Sequence, residues 1–293
     1  MPLSAQLRLP LLHLLLLFIF LHLLLFFHFK AGSLIVRGLI EHLAANAGIE
    51  KASTVVFGGG SAGGIGTFYN LRHVEQRLAP SGVPVLGFPV GGFPPQIVNY
   101  AGKNAETPEE NVTTAGFASH RTLYNATIDP VCGAFYGEAD AYKCMVPTLL
   151  YPHLKTPIFI AESVFDSVVS CGFAGLPCDK ILFTLTSKDV KAWLESYGAN
   201  LTQNVQQQVV PKAGDGAFIP ACFMHTGFTA FHPKIGGVDA LSASFAWVQS
   251  RLNETAAADQ IQNAHLYVEK PCSHPLVPQC NPTCPPFLPK SMQ

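Results

Sequence analysis

The amino-acid sequence predicts an α/β fold, in which helices flank both faces of a mainly parallel sheet. Two observations lead to this prediction. Short apolar runs of strand length alternate along the 293 residues with longer segments whose apolar residues recur at helical spacing. In addition, the glycine-rich segment 58–64 directly follows one apolar run and directly precedes one helical segment, which is typical of a tight strand–turn–helix connection. The chain length suits one large domain of this class.

The first element of the chain is an apolar segment. Residues 9–29 form an almost unbroken apolar run, with Arg8 before it and Lys30 after it. The run is longer than the core of a usual signal peptide and just reaches the length of a membrane-spanning helix. We therefore predict an apolar N-terminal helix, with residues 1–33 serving either as a cleaved signal peptide or as an uncleaved signal-anchor. Small residues at 31–33 provide a tolerable cleavage site.

The elements of the α/β domain, which we place at residues 34–270, follow from apolar spacing and from residues that start and stop helices. The first half is predicted to contain a helix over 36–47 with Gly48 as its C-cap, a strand over 53–57, a helix over 65–78 stopped by Pro80, a strand over 83–86 and a glycine- and proline-rich loop over 88–95. The second half is predicted to contain an exposed polar insertion over 100–130, a buried strand over 157–161, a helix capped by Ser187 and ending at Gly198, a helix capped by Asp239 and reaching Leu252, and a cysteine- and proline-rich tail over 271–293.

Composition indicates the secretory route and excludes a nucleic-acid partner. The formal net charge is −1 and the basic residues are scattered, so the chain lacks the basic surface that nucleic acids require. Eight cysteines accompany four glycosylation sequons. This combination is typical of a secreted or cell-wall protein, or of a membrane-anchored protein facing the secretory lumen or the exterior. The predicted glycosylation sites are Asn111, Asn125, Asn200 and Asn253.

An even number of cysteines in this context favours disulfide bonds over metal binding. We expect a bond between Cys132 and Cys144 and another within the tail. A zinc cluster is the alternative for the tail, but its ligand spacing fits no familiar zinc module. We therefore predict no metal site and no cofactor. The residues of that alternative cluster are Cys272, His274, Cys280 and Cys284.

The segment 59–63 reads Gly-Gly-Ser-Ala-Gly and matches the G-x-S-x-G pattern of a nucleophile elbow. In such an elbow, small residues permit a sharp turn that leaves the serine hydroxyl exposed between a strand and a helix. The N-terminus of the following helix favours negative charge that develops at the serine. Ser61 is therefore a candidate catalytic nucleophile, and a plain glycine-rich turn is the alternative interpretation.

A serine hydroxyl becomes a good nucleophile when a neighbouring base takes its proton and a carboxylate orients that base. Asp166 follows the predicted strand 157–161, where such a carboxylate is expected, and Glu162, closer to the strand, is its main rival. His225 follows an apolar stretch that can carry a side chain to a pocket, and His232 is close enough that spacing alone does not exclude it. The remaining downstream histidines are His265 and His274.

Four sequence blocks, in this order, resemble those of the pectin acetylesterases and the related Notum carboxylesterases. The first reads Gly-Gly-Gly-Ser-Ala-Gly-Gly-Ile-Gly and surrounds Ser61; the second ends at Asp166-Ser167, the third ends at His225, and the fourth reads Cys-Asn-Pro-Thr-Cys. A helix containing Trp247 is also similar to the family's helix after its histidine. The four blocks are 58–71, 157–167, 215–225 and 280–284.

The resemblance implies an α/β-hydrolase fold and a serine carboxylic-ester hydrolase. It gives Ser61 the role of nucleophile, His225 that of base and then acid, and Asp166 that of orienting carboxylate, with the Ala62 N–H in the oxyanion hole. The implied substrate is an acetyl ester of pectin-like cell-wall polysaccharide. A Notum-like enzyme that removes a fatty acyl group from a protein is the alternative, as is a catalytically impaired, membrane-anchored binding protein held through residues 9–29.

The sequence departs from the family pattern before the nucleophile. The family has a Gly-Gly-Gly-Trp-Cys-like block that supplies further oxyanion donors, and this chain has no such block. Only one helix fits between the apolar run and residue 53. We therefore expect the early strands of the sheet to be missing and the nucleophile strand to lie at an edge, which would make this chain a shortened or incomplete enzyme or a non-catalytic derivative.

Overall fold

A computed structural model describes residues 32–101, 114–178, 187–252, 265–272 and 279–286. The apolar run 9–29 lies outside these residues, so the predicted N-terminal helix, signal peptide and membrane anchor are not described. Within the described ranges, no helix is both long enough and apolar enough to cross a membrane.

The first elements follow the predicted order, with differences at their ends. Helix α1 (Gly32–Ala47) precedes Gly48, whose left-handed φ of 66° ends it as expected. Strand β1 (Val55–Gly60), helix α2 (Ala62–Leu78) and strand β2 (Val85–Val90) follow. Both strands continue through glycine and proline residues that the sequence had suggested as turn and loop.

Close approach of the two backbones explains why β1 and β2 are longer than predicted. The strands pair in parallel from Val55 with Val85 to Gly60 with Val90. A Cβ at Gly58 would lie 2.4 Å from the carbonyl oxygen of Phe88, so only glycine fits there. These glycines therefore belong to the sheet.

A helical region separates β2 from the third strand. Helix α3 (Thr114–Tyr124) forms the described end of the predicted insertion, and Asn125 is exposed directly after it. The Asp129 carboxylate accepts hydrogen bonds from two N–H groups at the start of helix α4 (Pro130–Tyr136). The predicted bond between Cys132 and Cys144 is confirmed. A short helix α5 (Pro147–Leu150) then leads towards the third strand.

The remaining strands are β3 (Phe159–Ala161), β4 (Phe165–Asp166), β5 (Gly216–Ile219), β6 (Phe223–Met224), β7 (Lys234–Ile235), β8 (Val238–Asp239) and β9 (Leu266–Val268). The five-stranded sheet is parallel, as predicted, with strand order β1-β2-β3-β5-β9. Among the described residues β1 lies at one edge, which confirms the expectation for the nucleophile strand. Strands β4 and β6 form a separate parallel pair.

Side chains that alternate along the strands fill cores on both faces of the sheet. Ile158 and Ile160 pack into the larger core with Leu71, whereas Phe159 packs into the smaller core with Trp247. All five of these residues are almost fully buried. This two-sided burial explains why strand 157–161 reads as a continuous apolar run in the sequence.

Helix α6 (Lys188–Asn204) is longer than predicted. Ser187 precedes it, but the Ser187 side chain makes no capping hydrogen bond. Gly198, expected as its end, lies inside the helix, where a Cβ would approach Phe165 to 2.8 Å and Val164 to 2.9 Å. The glycine therefore serves close packing against β4 instead of ending the helix.

The last helices cover the smaller core and connect to the tail. Helix α7 (Phe228–Phe231) precedes the β7–β8 hairpin, and Asp239 caps helix α8 (Ala240–Leu252) as predicted, through its bond from the Ser242 N–H. The buried Trp247 donates to the Gly214 carbonyl oxygen at 2.8 Å.

The three cysteines of the alternative zinc cluster all form disulfide bonds. Cys272 pairs with Cys280, which confirms a bond within the tail. Cys284 pairs with Cys222, just before β6, so the tail is also fixed to the domain. A further bond joins Cys171 to Cys178. His274 lies outside the described residues, and within them no group of three or more His, Cys, Asp or Glu side chains is arranged to hold a metal ion.

Candidate active site

Ser61 lies at a strained turn between β1 and α2. Its backbone has φ 57° and ψ −123°, a region that non-glycine residues rarely adopt. Its N–H donates to the Val90 carbonyl oxygen at 2.8 Å, and its own carbonyl accepts from the Gly64 N–H at 2.8 Å. These bonds fix the turn at the carboxyl ends of β1 and β2. The predicted elbow conformation is present, with the Ser61 side chain half-buried.

Glycines permit the tight packing that this elbow needs. A Cβ at Gly59 would lie 2.7 Å from the Gly63 carbonyl oxygen. A Cβ at Gly92 would lie 2.4 Å from the Gly64 carbonyl carbon and 2.6 Å from the Ile65 nitrogen. The loop after β2 therefore presses directly on the first turn of α2. The sequence signalled the first contact through its motif, but it gave no sign that Gly92 meets Gly64.

Replacing Gly92 with alanine is expected to lower the free energy of unfolding by about 1–3 kcal/mol or more, because the new methyl group meets backbone atoms that cannot rotate away. Thermal unfolding followed by circular dichroism measures the change. Gly66→Ala is the matched control, because a Cβ at that position in α2 has no neighbour within 4 Å, and it is expected to stabilise by up to about 1 kcal/mol. Equal stability of the two variants would contradict the packing argument.

Pairing of β4 with β6 brings the predicted acid and base together. Asp166 ends β4 opposite Met224, the last residue of β6, and His225 follows directly. The Asp166 carboxylate is fully buried, and its Oδ2 lies 2.5 Å from Nδ1 of His225. Its Oδ1 accepts from the Val169 N–H at 2.9 Å. The carboxylate is thus held on both oxygens.

The other candidate bases do not share this arrangement. His232 is exposed at the end of α7, with a left-handed φ of 47°. His265 is half-buried just before β9, and burial lowers its pKa, followed by the nearby charge of Arg251. His274 lies outside the described residues. Among the histidines that the structure describes, His225 alone is bonded to Asp166.

His225 and its neighbour Thr226 lie close to residues around the elbow. A Cβ at Gly91 would lie 3.1 Å from His225 Cε1, and Gly91 follows Val90, whose carbonyl accepts from the Ser61 N–H. The Thr226 methyl group lies 3.6 Å from the Cβ position of Gly60, which precedes Ser61. His225 Nε2 is buried and makes no hydrogen bond within the described part of the chain. Nε2 therefore has no hydrogen bond to the Ser61 hydroxyl in this structure, and proton transfer between the two residues stays a prediction.

Ala62, the predicted oxyanion donor, is the first residue of α2. The N–H groups in the first turn of a helix have no intrahelical acceptors. The Ala62 residue as a whole is exposed. Its role in an oxyanion hole remains a prediction.

Glu162, the rival acid, has no bond to a histidine. It is 1 % exposed, directly after β3, and its carboxyl oxygens accept from the Phe93 N–H at 2.8 Å and the Ser163 N–H at 3.0 Å. Burial, followed by the negative charge of Asp166, raises the pKa of Glu162 well above its ordinary value. The sequence suggested Glu162 and Asp166 as alternatives, and the structure places them side by side.

Comparison with known proteins identifies the lineage. A family model described as Pectinacetylesterase matches residues 25–284, which is most of the chain. The chain belongs to the pectinacetylesterase family. Its α/β architecture, with a strand–elbow–helix around Ser61, is the arrangement that the resemblance implied.

Curated relatives of this pectinacetylesterase-family chain include Notum proteins. The chain is 24% identical over 261 residues to palmitoleoyl-protein carboxylesterase notum1' of Xenopus laevis, which covers 87% of the chain and 51% of the relative. Human NOTUM is 23% identical over 261 residues, with 87% and 50% covered. NOTUM of Schmidtea mediterranea is 28% identical over 209 residues, with 69% and 36% covered. The chain thus spans about half the length, or less, of these relatives.

The predicted glycosylation sites fall partly within the described residues of this pectinacetylesterase-family chain. Asn125 is exposed at the end of α3 with a left-handed φ of 45°. Asn200 is half-buried in α6, where its carbonyl and side-chain oxygens accept from Asn204. Asn111 and Asn253 lie outside the described ranges. Modification of these sites stays a prediction.

Proposed function

We propose that this chain is a serine carboxylic-ester hydrolase that uses Ser61, His225 and Asp166. The observation that carries the proposal is the 2.5 Å contact between Asp166 Oδ2 and His225 Nδ1, beside a strained serine elbow. Asp166, accepting the Nδ1 proton, leaves the Nε2 lone pair free to accept another. Nε2 has no hydrogen-bond partner among the described residues, and we assign it to the Ser61 hydroxyl in the reacting complex.

The reaction then follows from these roles. His225 Nε2 takes the hydroxyl proton as Ser61 Oγ bonds to the ester carbonyl carbon, and the carbonyl oxygen becomes an oxyanion that the Ala62 N–H stabilises. The oxyanion collapses, the bond to the alcohol oxygen breaks, and the alcohol leaves with the proton from Nε2. Water then attacks the acyl-serine with the same base, and the carboxylic acid is released. No cofactor takes part in these steps.

The proposed substrate is an acetyl ester of a pectin-like polysaccharide outside the cell or in the cell wall. The description of the matching family as Pectinacetylesterase supports this choice. Four disulfide bonds among the described residues support an oxidising, secretory destination. The second candidate is removal of a fatty acyl group from a protein, and the curated relatives named palmitoleoyl-protein carboxylesterases support it.

Ester chain length separates the two candidates. We expect kcat/KM to be at least about tenfold higher for p-nitrophenyl acetate than for the palmitate ester, because a site shaped for an acetyl group has no room for a long chain. Acetate release from acetylated pectin and deacylation of a palmitoleoylated peptide provide matched natural substrates. A preference for the long acyl chain in both pairs would support the second candidate and contradict the first.

A fluorophosphonate probe tests the nucleophile independently of the substrate. The probe is expected to label the secreted wild-type chain, and a peptide map is expected to place the adduct on Ser61. Binding of acetylated pectin or of the acylated peptide without labelling and without turnover would instead favour the catalytically impaired binding protein. Labelling of a serine other than Ser61 would contradict the proposed site.

A further inference from the structure

Glu162 connects three parts of the candidate site. It follows β3, and its carboxyl group accepts from the Phe93 N–H at 2.8 Å, in the loop after β2 that presses on the serine elbow. It also accepts from the Ser163 N–H at 3.0 Å, and it lies within hydrogen-bonding reach of Asp166. The mechanism above gives this buried carboxyl group no role.

Two carboxyl groups share one buried site with little compensating charge. The groups that face Glu162 are Asp166 and the hydroxyl of Tyr197 on α6, which is buried and has no hydrogen-bond partner among the described residues. His225 Nδ1 is bonded to Asp166 Oδ2. No lysine or arginine of the described chain acts on the pKa of Glu162. Two adjacent negative charges are costly in such a site, so one carboxyl group keeps its proton.

We propose that Glu162 is a positioning residue for the Asp166–His225 pair, and that it acts as a protonated carboxylic acid which donates its hydrogen bond to the Asp166 carboxylate. Asp166 has the acceptor capacity for this bond, since each of its oxygens has two lone pairs and accepts one protein N–H. The proton belongs to Glu162 because Asp166 is the carboxylate that receives the imidazole N–H. This inference rests on the proposed hydrolase function.

Protonated Glu162 would do two things for the reaction. It would fix the rotation of the Asp166 carboxylate, and it would tie that carboxylate to the Phe93 loop behind the elbow. It would also limit the negative charge beside His225. If Glu162 ionised, a second negative charge would hold the proton on an imidazole that must accept one from Ser61. Turnover would therefore fall as the pH rises through the Glu162 titration.

The sign of the stability effect follows from the direction of the shift. The pKa of Glu162 is raised above the ordinary value of 4.5. The folded protein therefore holds this proton more tightly than the unfolded chain does. The corresponding stability is complete below pH 4.5, and it is lost as the pH rises through the folded value.

The pH profile of turnover with Glu162→Gln tests the role. Glutamine keeps an acceptor for the Phe93 N–H and a donor for Asp166 and cannot ionise, although its NH₂ group can no longer accept from the Ser163 N–H. We expect kcat to fall several-fold near neutral pH, since an amide donates a weaker bond than a carboxylic acid, and we expect the alkaline decrease of the wild type to disappear. Glu75→Gln is the matched control, because Glu75 accepts from Thr156 before β3 and lies away from Asp166. It is expected to reproduce the wild-type profile.

Infrared difference spectroscopy tests the protonation state without any turnover. The C=O stretch of a protonated carboxyl group is expected in the wild type near neutral pH and is expected to be lost in Glu162→Gln. If Glu162→Gln does not fold, Asp166→Asn assigns the same band. Removal of the neighbouring negative charge lets Glu162 ionise at lower pH, so the band is expected to disappear at a lower pH than in the wild type. Absence of the band, or alkaline limbs that coincide in wild type and Glu162→Gln, would overturn the proposal. If the wild type showed the band but no ester turnover, the result would contradict the proposed hydrolase function and not the protonation of Glu162.

Discussion

Ser61→Ala is expected to lower kcat for ester hydrolysis by about 10⁶-fold, to the level that binding and oxyanion contacts alone sustain. The alanine lacks the oxygen that forms the acyl-enzyme, so the covalent route through this residue is closed. The fold should tolerate the change, because the Ser61 side chain makes no capping hydrogen bond for α2. Steady-state hydrolysis of p-nitrophenyl acetate, with a pre-steady-state burst as the sign of an acyl-enzyme, provides the measurement.

The matched control for this experiment is Ser81→Ala. Ser81 is exposed just beyond the opposite end of α2, so its removal changes neither the elbow nor the histidine. It is expected to retain wild-type turnover and fluorophosphonate labelling. Hydrolysis by Ser61→Ala at a rate close to that of the control would show that another group carries the reaction, and the assignment of the elbow would fail.

The elbow conformation at Ser61 could be predicted from the sequence because it has a local signal. The glycine-rich motif lies between an apolar strand and a helical period, which identifies Ser61. The order of a serine, a later carboxylate and a still later histidine narrows the search for partners. Local sequence left Glu162 beside Asp166 and His232 beside His225 as alternatives. Pairing of β4 with β6 decides the contact, and two-residue strands have no visible sequence pattern.

Features that depend on long-range packing could not be predicted. Gly58 extends β1 because the Phe88 backbone comes close, and Gly198 lies inside α6 because Phe165 packs against it. In both cases a glycine that normally indicates a turn or a helix end instead permits close contact with a distant segment. The bond from Cys222 to Cys284 joins residues 62 positions apart, and spacing offered no way to select it.

Asp166→Asn is expected to lower kcat by about 10⁴-fold by changing which imidazole nitrogen carries the proton. The asparagine oxygen can still accept from the Val169 N–H, which turns its NH₂ group towards His225 Nδ1. Nδ1 must then act as an acceptor, so the remaining proton moves to Nε2. A protonated Nε2 cannot take the proton of Ser61, although the geometry of the site is nearly unchanged.

This prediction distinguishes a reacting pair from a merely structural one. Asp166→Asn should keep the fold, as monitored by thermal unfolding, while kcat falls and KM changes little, because the lost interaction belongs to the transition state. Asp140→Asn, which removes a carboxylate paired with Lys143 at the surface, is the control and should retain full activity. If Asp166→Asn kept turnover within about tenfold of that control, the carboxylate would not orient the base. Glu162 has no hydrogen bond to a histidine, and Asp166 alone among the described carboxylates is bonded to His225, so no other described carboxylate holds the base in its place.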